Sequence, residues 1–381
     1  MRAVVTGQIG VDKKAYLEGA VALAGEHGEV IESFNVGDMM YSEATDVSPG
    51  RILDLPLSRL SSLRRAAFKD IISTTSPSED HANIIVNTHA TFRWRHGLFS
   101  AFDFDQMQAL KPNMFICLVD NVEVVHKRLH QDHIIDATLK DCMVWREEEI
   151  LATELLAQAM GCHNDFYILS RGRHDPTLET CRRLITRPDM KKVYPSFPMS
   201  HVEDMPEVLA EINKFRDAIA EHFISFDPGD VDEKLLLDKA IEAARASEDF
   251  IEAPSHVFGS GGNSGDSDDP QLIPVRQILD IAGDIDGQIY MRDFKLIDQS
   301  DMIVSYIPEL PGGIPALSSG VERELQHAFE HTKEVYVVWK PAKNPSPFIT
   351  ETATKIFSEV DEALEYFESQ GMFATRNLFG H

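Results

Sequence analysis

"VVTGQIGVDKKAY", Val4 to Tyr16, decides the fold of the first half of this chain. A short β-branched run turns through two glycines into a lysine-bearing helical segment. Parallel α/β proteins cradle phosphate in this way, because the loop and the first helical turn aim backbone N–H groups at an anion. Gly7 and Gly10 let the main chain approach that anion, and Lys13 is placed to reach the phosphates. The full pattern is G-x-x-x-x-G-K-[ST]. Here Asp12 takes the last glycine position, and Lys14 replaces the hydroxyl that holds Mg²⁺. The plainer reading of the same glycines is a tight strand-to-helix turn.

Outward from the loop, "RAVVTG", "NIIVNTHA" and "MFICLVD" are β-rich runs separated by helical stretches such as "KKAYLEGAVALAGEHG" and "LSSLRRAAFKDII". That alternation predicts βαβ units and a parallel sheet. A long helix over 144–159, a strand "DFYIL" and a helix near 177–184 follow. The polar, Pro-containing segment "TRPDMKK", 186–192, then reads as a domain joint. The alternation restarts with strands "KKVYPSFP", "FISFDPGD", "DMIVSYI" and "EVYVVW" and with intervening helices, closing on "SEVDEALEYFES". The fold class expected is α/β, in two domains, 1–188 and 189–381, each a mainly parallel sheet flanked by helices. The tract "GSGGNSGDSDDP", 259–270, reads as a flexible insert in the second, or as a lid over a substrate.

The chain has 381 residues, above the usual size of a single core. Its 36 Lys and Arg face 62 Asp and Glu, a net charge of −26. Such a surface repels nucleic-acid backbones and acidic membranes, so any phosphate must be captured locally. No run reaches the ~18 apolar residues of a membrane span. Cys117, Cys142, Cys162 and Cys181 stand apart with no CxxC pair, which predicts reduced, buried thiols and a cytoplasmic setting.

The first half resembles the archaeal-type adenylate kinase family over about 180 residues. "VVTGQIGV", "FNVGDMM" with Arg51 downstream, "NTHATFRWR" and "VDNVEVVHKRLHQD" carry the likeness, which implies a P-loop kinase-like fold. Gly7, Gly10, Lys13 and Arg51 are then the nucleotide-binding candidates. The departures fall on catalytic parts: Asp12, Lys14, Asn87 in place of an acid, and a lid region "HIIDATLKD" without the expected arginines. Phosphoryl transfer depends on placed positive charge and metal, so this half reads as degenerate, a nucleotide sensor or a structural relic. His89, Arg93 and Arg95 are further pocket candidates, or surface charges.

In the second half, "LSSGVERELQHAFEHTK", Leu317 to Lys333, starts a helix on two serines and a glycine. Ser319 to Glu322 has the spacing of a capping box. Glu324 lies at the edge of the stripe Val321, Leu325, Ala328, Thr332 that should face the sheet. A carboxylate held there is partly desolvated, which suits a nucleophile or base; a surface-edge Glu is the plainer reading. "IYMRDFKLIDQSDMIVSYI" places Asp293 before an amphipathic turn that leads into a buried strand.

Taken in order, "KVYPSFPMS", "FDPGD", the Asp293 segment and the acidic helix resemble the nucleoside 2-deoxyribosyltransferase superfamily over roughly residues 190–367, which implies a flavodoxin- or Rossmann-like fold. The resemblance makes Glu324 the nucleophile, Asp293 the aspartate on the nucleobase side, and Tyr194 the residue that orients the nucleophile. It implies a covalent glycosyl-Glu intermediate in the cleavage or exchange of an N-glycosidic bond. Ser318 stands where enzymes of free nucleosides carry an acid, as in the branch resembling nucleoside 5′-monophosphate N-glycosidases. Ser318, Ser319 and Gly320 are therefore a candidate phosphate cradle, since a carboxylate would repel a 5′-phosphate. They equally serve as a helix cap. Phe197, Pro198 and Met199 depart from the family, leaving Ser200 and His201 as the nearest polar groups. The expected partner is a small nucleotide or nucleoside, with a homo-oligomer completing the pocket and no cofactor or metal required. A sensor that binds without turnover, and an active nucleotide kinase, stand as alternatives. His327, Glu330 and His331 spell H-x-x-E-H, which reads as a solvated helix face, because an inverted zincin site needs a third acidic ligand and a different scaffold.

Overall fold

The computed structural model describes residues 1–48, 50–75, 83–94, 97–132, 135–172, 174–199, 202, 204–253 and 271–373. Arg95, Ser200, His201 and the tract 259–270 lie outside the described residues.

Five strands make the first sheet: β1 (Arg2–Thr6), β2 (Ile31–Asn35), β3 (Asn83–Asn87), β4 (Met114–Val119) and β5 (Phe166–Ser170). They are all parallel, in the order β2-β3-β1-β4-β5. β4, "MFICLV", is buried along its whole length, as a strand covered on both faces must be. Helix α1 (Lys13–Glu26) leaves the loop after β1; α2 (Val122–Gln131) and α3 (Leu139–Ala159) follow β4, and α4 (His174–Thr186) follows β5.

A second parallel sheet comprises β6 (Lys192–Ser196), β7 (Ile224–Ser225), β8 (Met302–Ile307), β9 (Glu334–Trp339) and β10 (Lys355–Phe357), in the order β10-β9-β8-β6-β7. Counted within this half, that is the doubly wound order 2-1-3-4-5. Its switch point lies between β6 and β8, and ligands of such sheets bind in the crevice beyond the carboxyl ends of those strands. Helices α5 (Pro206–His222), α6 (Lys234–Arg245), α7 (Ala282–Asp298) and α8 (Ser319–Glu330) flank it. The two sheets share apolar packing. Tyr16, Leu178, Phe226 and Ile297 belong to one buried cluster, the Tyr167 and Phe226 rings stack at 5.8 Å, and the Tyr16 hydroxyl donates to the Thr177 carbonyl at 2.6 Å.

Three expectations change. "FISFDPGD" yields only the two-residue β7, because Pro228 cannot donate to a ladder and Asp227 closes a turn by accepting from the Gly229 N–H at 2.9 Å. Asp293 sits inside α7 rather than ahead of it. The cap of α8 is Ser318, whose Oγ accepts from the Val321 N–H at 3.2 Å; the Ser319–Glu322 capping box does not form, since Ser319 is already helical. The four cysteines are free and buried, and among the described residues no helix is long and apolar enough to cross a membrane.

Candidate functional site

The loop after β1 keeps its form despite its altered sequence. Gly10 has φ 85°, and a Cβ at Gly7 would stand 2.6 Å from the Leu118 carbonyl oxygen, so both glycines are required by the backbone. Asp12 adopts φ 57°, ψ 52°, the left-handed conformation. Asp is among the few residues with a side chain that tolerate this region, so it stands in for the missing glycine without refolding the loop. Its charge is met by Arg171, which donates to Asp12 Oδ2 at 3.3 Å and to the Val11 carbonyl at 2.7 Å.

Lys13 is buried and donates to the Gly7 carbonyl at 2.7 Å, with both His89 ring nitrogens 3.3 Å away. Burial lowers its ammonium to about 8, against the opposing pull of Glu149. Glu149, from α3, is 1% exposed and closes the floor of the loop. It accepts from the N–H groups of Gly7 (3.3 Å), Ala90 (2.8 Å) and Thr91 (2.9 Å). Lys13, Arg128 and Arg171 are thus matched by Asp12, Asp120 and Glu149. The other described first-half candidates have ion-pair partners of their own. Lys14 pairs with Asp38 at 2.7 Å, Arg51 with Asp54 on an exposed turn at 2.5 Å, and Arg93 with Glu148. Of these residues, only His89 joins Lys13.

At the switch point of the second sheet the three candidate catalytic residues do converge. Glu324 is 8% exposed on the first turns of α8, and Ser196 Oγ, at the carboxyl end of β6, donates to its Oε2 at 2.6 Å. Ser305 of β8 donates to Ser196 Oγ at 3.4 Å. Tyr194, two residues before Ser196 and so on the same face of β6, is fully buried. Its hydroxyl feels the charges of Asp293 and Glu324 but has no well-formed partner, and Asp293 Oδ1 is likewise unpartnered.

Burial pushes both carboxyls up, and they act on one another. Glu324 is raised, a tendency opposed by the Ser196 and Tyr194 hydroxyls. Asp293 is raised much further, by burial foremost; Arg292 opposes this, while Glu324, Asp232 and Glu233 add to it. Like charges in one dry site compete for a proton, and burial favours the neutral form of Asp293 more strongly than that of Glu324.

Ser318, Ser319 and Gly320 form the open N-terminus of this same α8, with Ser319 and Gly320 exposed. The Ser318 cap falls on the same positions that the sequence offers as a cradle. Ser200 lies outside the described residues.

A continuous set of buried polar contacts runs between the two sites. Arg128 reaches toward the Gly10 and Val11 carbonyls at 3.5 Å and pairs with Asp120 at 2.8 Å. Arg146 donates to the Asp120 carbonyl at 3.1 Å and to Glu233 Oε1 at 2.5 Å, and Arg292, next to Asp293, meets Glu233 Oε2 at 3.4 Å. Burial alone would raise Glu233, but the two arginines outweigh it and hold the carboxyl at about 2.

Sequence reasoning passed over Glu149, Arg171, Ser196, Ser305 and this arginine–glutamate set. The alternation Tyr194–Ser196 along one strand was the available signal for Ser196. Nothing local marks Glu149 or Glu233, whose roles arise from contacts 142 and 87 residues away in the chain.

Residues 6–140 match the model of an AAA domain family, AAA_17. Among solved structures, shikimate kinase from Bacteroides thetaiotaomicron is similar over 48% of this chain and 97% of its own, at 11% identity and a TM-score of 0.32, too low to carry weight. No curated protein matches the chain. The N-terminal region is P-loop NTPase-like, and the match ends well before the second sheet.

Proposed function

We propose that this chain binds a nucleotide at its N-terminal loop, and that its C-terminal site cleaves, or exchanges, the N-glycosidic bond of a nucleoside 5′-monophosphate. Two domains, 1–188 and 189–381, would divide this work. The match over residues 6–140, with Gly7, Gly10 and Lys13 in a loop of the right form, supports nucleotide binding. One observation carries the catalytic reading: Glu324 is buried, hydroxyl-supported and electrostatically joined to Asp293 and Tyr194 at the switch point. In this scheme Glu324 attacks the anomeric carbon and the carbon–nitrogen bond breaks. Its electron pair leaves with the base, which takes the Asp293 proton. Water or a second base, in either case losing a proton to Asp293, then displaces Glu324. A homo-oligomer whose neighbours complete the pocket belongs to the same proposal, as does a cytoplasmic setting.

The test is a panel of ribo- and deoxyribonucleosides and their 5′-monophosphates, incubated with pure protein and chromatographed for free base. Free base from a 5′-monophosphate is the expected result. Binding with no base from any substrate would replace this reading with the second one, a nucleotide binder in which neither half turns over. The charge-matched loop around Lys13 favours that second reading over an active kinase, since a phosphoryl-transfer site needs excess positive charge. Two variants refine the picture. Lys13→Ala should weaken nucleotide binding by at least about tenfold in calorimetry while base release persists. If affinity is unchanged, the loop is not the binding site. Ser318→Asp retains a residue that caps helices as well as Ser does. It should lower 5′-monophosphate turnover relative to nucleoside turnover, and an unmoved preference would remove the cradle.

A further inference from the structure

H-x-x-E-H on α8 reads as an incomplete metal motif, and tertiary structure supplies the missing acid from another helix. Asp298, the last residue of α7, meets His327 Nε2 through Oδ1 at 2.8 Å. His331 stands one turn on, its ring centroid 4.0 Å from that of His327. One ligand atom from each of the three residues lies within 4.8 Å of the others. Glu330, the acid of the sequence motif, turns away and accepts from Gln326 Nε2 at 2.8 Å.

We propose that Asp298, His327 and His331 bind a divalent transition metal of the zinc type, with solvent completing the coordination. Two imidazoles and a carboxylate suit such an ion, and three protein ligands leave one position open. The ligands are already oriented. His331 Nδ1 lies 2.8 Å from the His327 carbonyl, which can only accept, so Nδ1 carries the proton and Nε2 offers its lone pair. The His327 ring lies flat against Phe294 at 4.3 Å and 12°, which fixes its plane. Lys333 donates to the Asp298 and Ser300 carbonyls at 2.7 and 2.6 Å, pinning the end of α7; it is also the cation that the metal must tolerate. The site joins the C-terminal ends of α7 and α8, so an ion there would tie together the helices that bear Asp293 and Glu324. The proposal does not depend on the catalytic reading of those residues.

The experiment is calorimetric titration of tag-free, chelator-stripped full-length protein with Zn²⁺, repeated on His331→Ala, Asp298→Asn and, as a control, His27→Ala, an exposed histidine elsewhere whose Nδ1 also faces a main-chain carbonyl. One equivalent with Kd below about 100 μM is expected, weakened at least about tenfold in the first two variants and unchanged in the control. Co²⁺ absorption in the visible should follow the same pattern. A wild-type Kd at or above that limit, or wild-type affinity in both His331→Ala and Asp298→Asn, overturns the site. His331 and Asp298 are exposed, so neither change threatens the fold.

Discussion

Exchanging Glu324 for Gln is expected to lower base release by at least about 10³-fold, because an amide cannot form the glycosyl ester. The same change should leave the chain as stable as before, or more so. Burial raises the carboxyls of both Glu324 and Asp293. A carboxyl raised in the folded state contributes stability that is fully present below its unfolded value of about 4 and is lost as pH rises through the folded value. The wild type should therefore lose stability across that window, and Glu324→Gln should flatten the loss. The proposed reaction needs one carboxyl in each state, Glu324 ionised and Asp293 protonated, so the rate should fall on both sides of an optimum. Tm against pH for both proteins, alongside the chromatographic assay, reads these effects. Wild-type base release in the variant would end the glycosyl-transfer proposal.

Glu233→Gln should cost about 3–5 kcal/mol of stability, because it leaves Arg146 and Arg292 buried without their counter-charge. Glu233 is fully buried, and the arginines are 3% and 6% exposed. Its depressed carboxyl contributes stability present above the unfolded value of about 4 and lost as pH falls toward about 2. Urea unfolding of wild type and variant at neutral pH measures the difference. A loss below about 1 kcal/mol would mean that the cluster is relaxed or wet in solution. The substitution also removes the carboxylate that holds Arg292 beside Asp293, so the pH optimum of any base release should move with it.

Much of the architecture was legible because helices and strands announce themselves locally. "MFICLVD" and "DMIVSYI" are apolar without alternation, as strands buried on both faces are, and both lie in parallel sheets. Where the reading slipped, a neighbour decided the outcome. "FISFDPGD" has strand composition, but a proline turn cut it to two paired residues. Either serine at the start of α8 has a capping side chain; Ser318 keeps extended backbone and caps, while Ser319 is already helical.

The sequence alone determined the loop after β1, the parallel α/β style and the placement of an acid on the edge of the α8 stripe, since each follows from a few consecutive side chains and the period of their helix or strand. Tertiary structure alone decided what those groups meet. It brought Ser196 to Glu324, Arg171 to Asp12, Glu149 to the Gly7 N–H, Glu233 between two arginines, and Asp298 to His327. A carboxylate's proton affinity depends on burial and on charges within a few ångströms, and those distances are set by chain segments far apart in sequence.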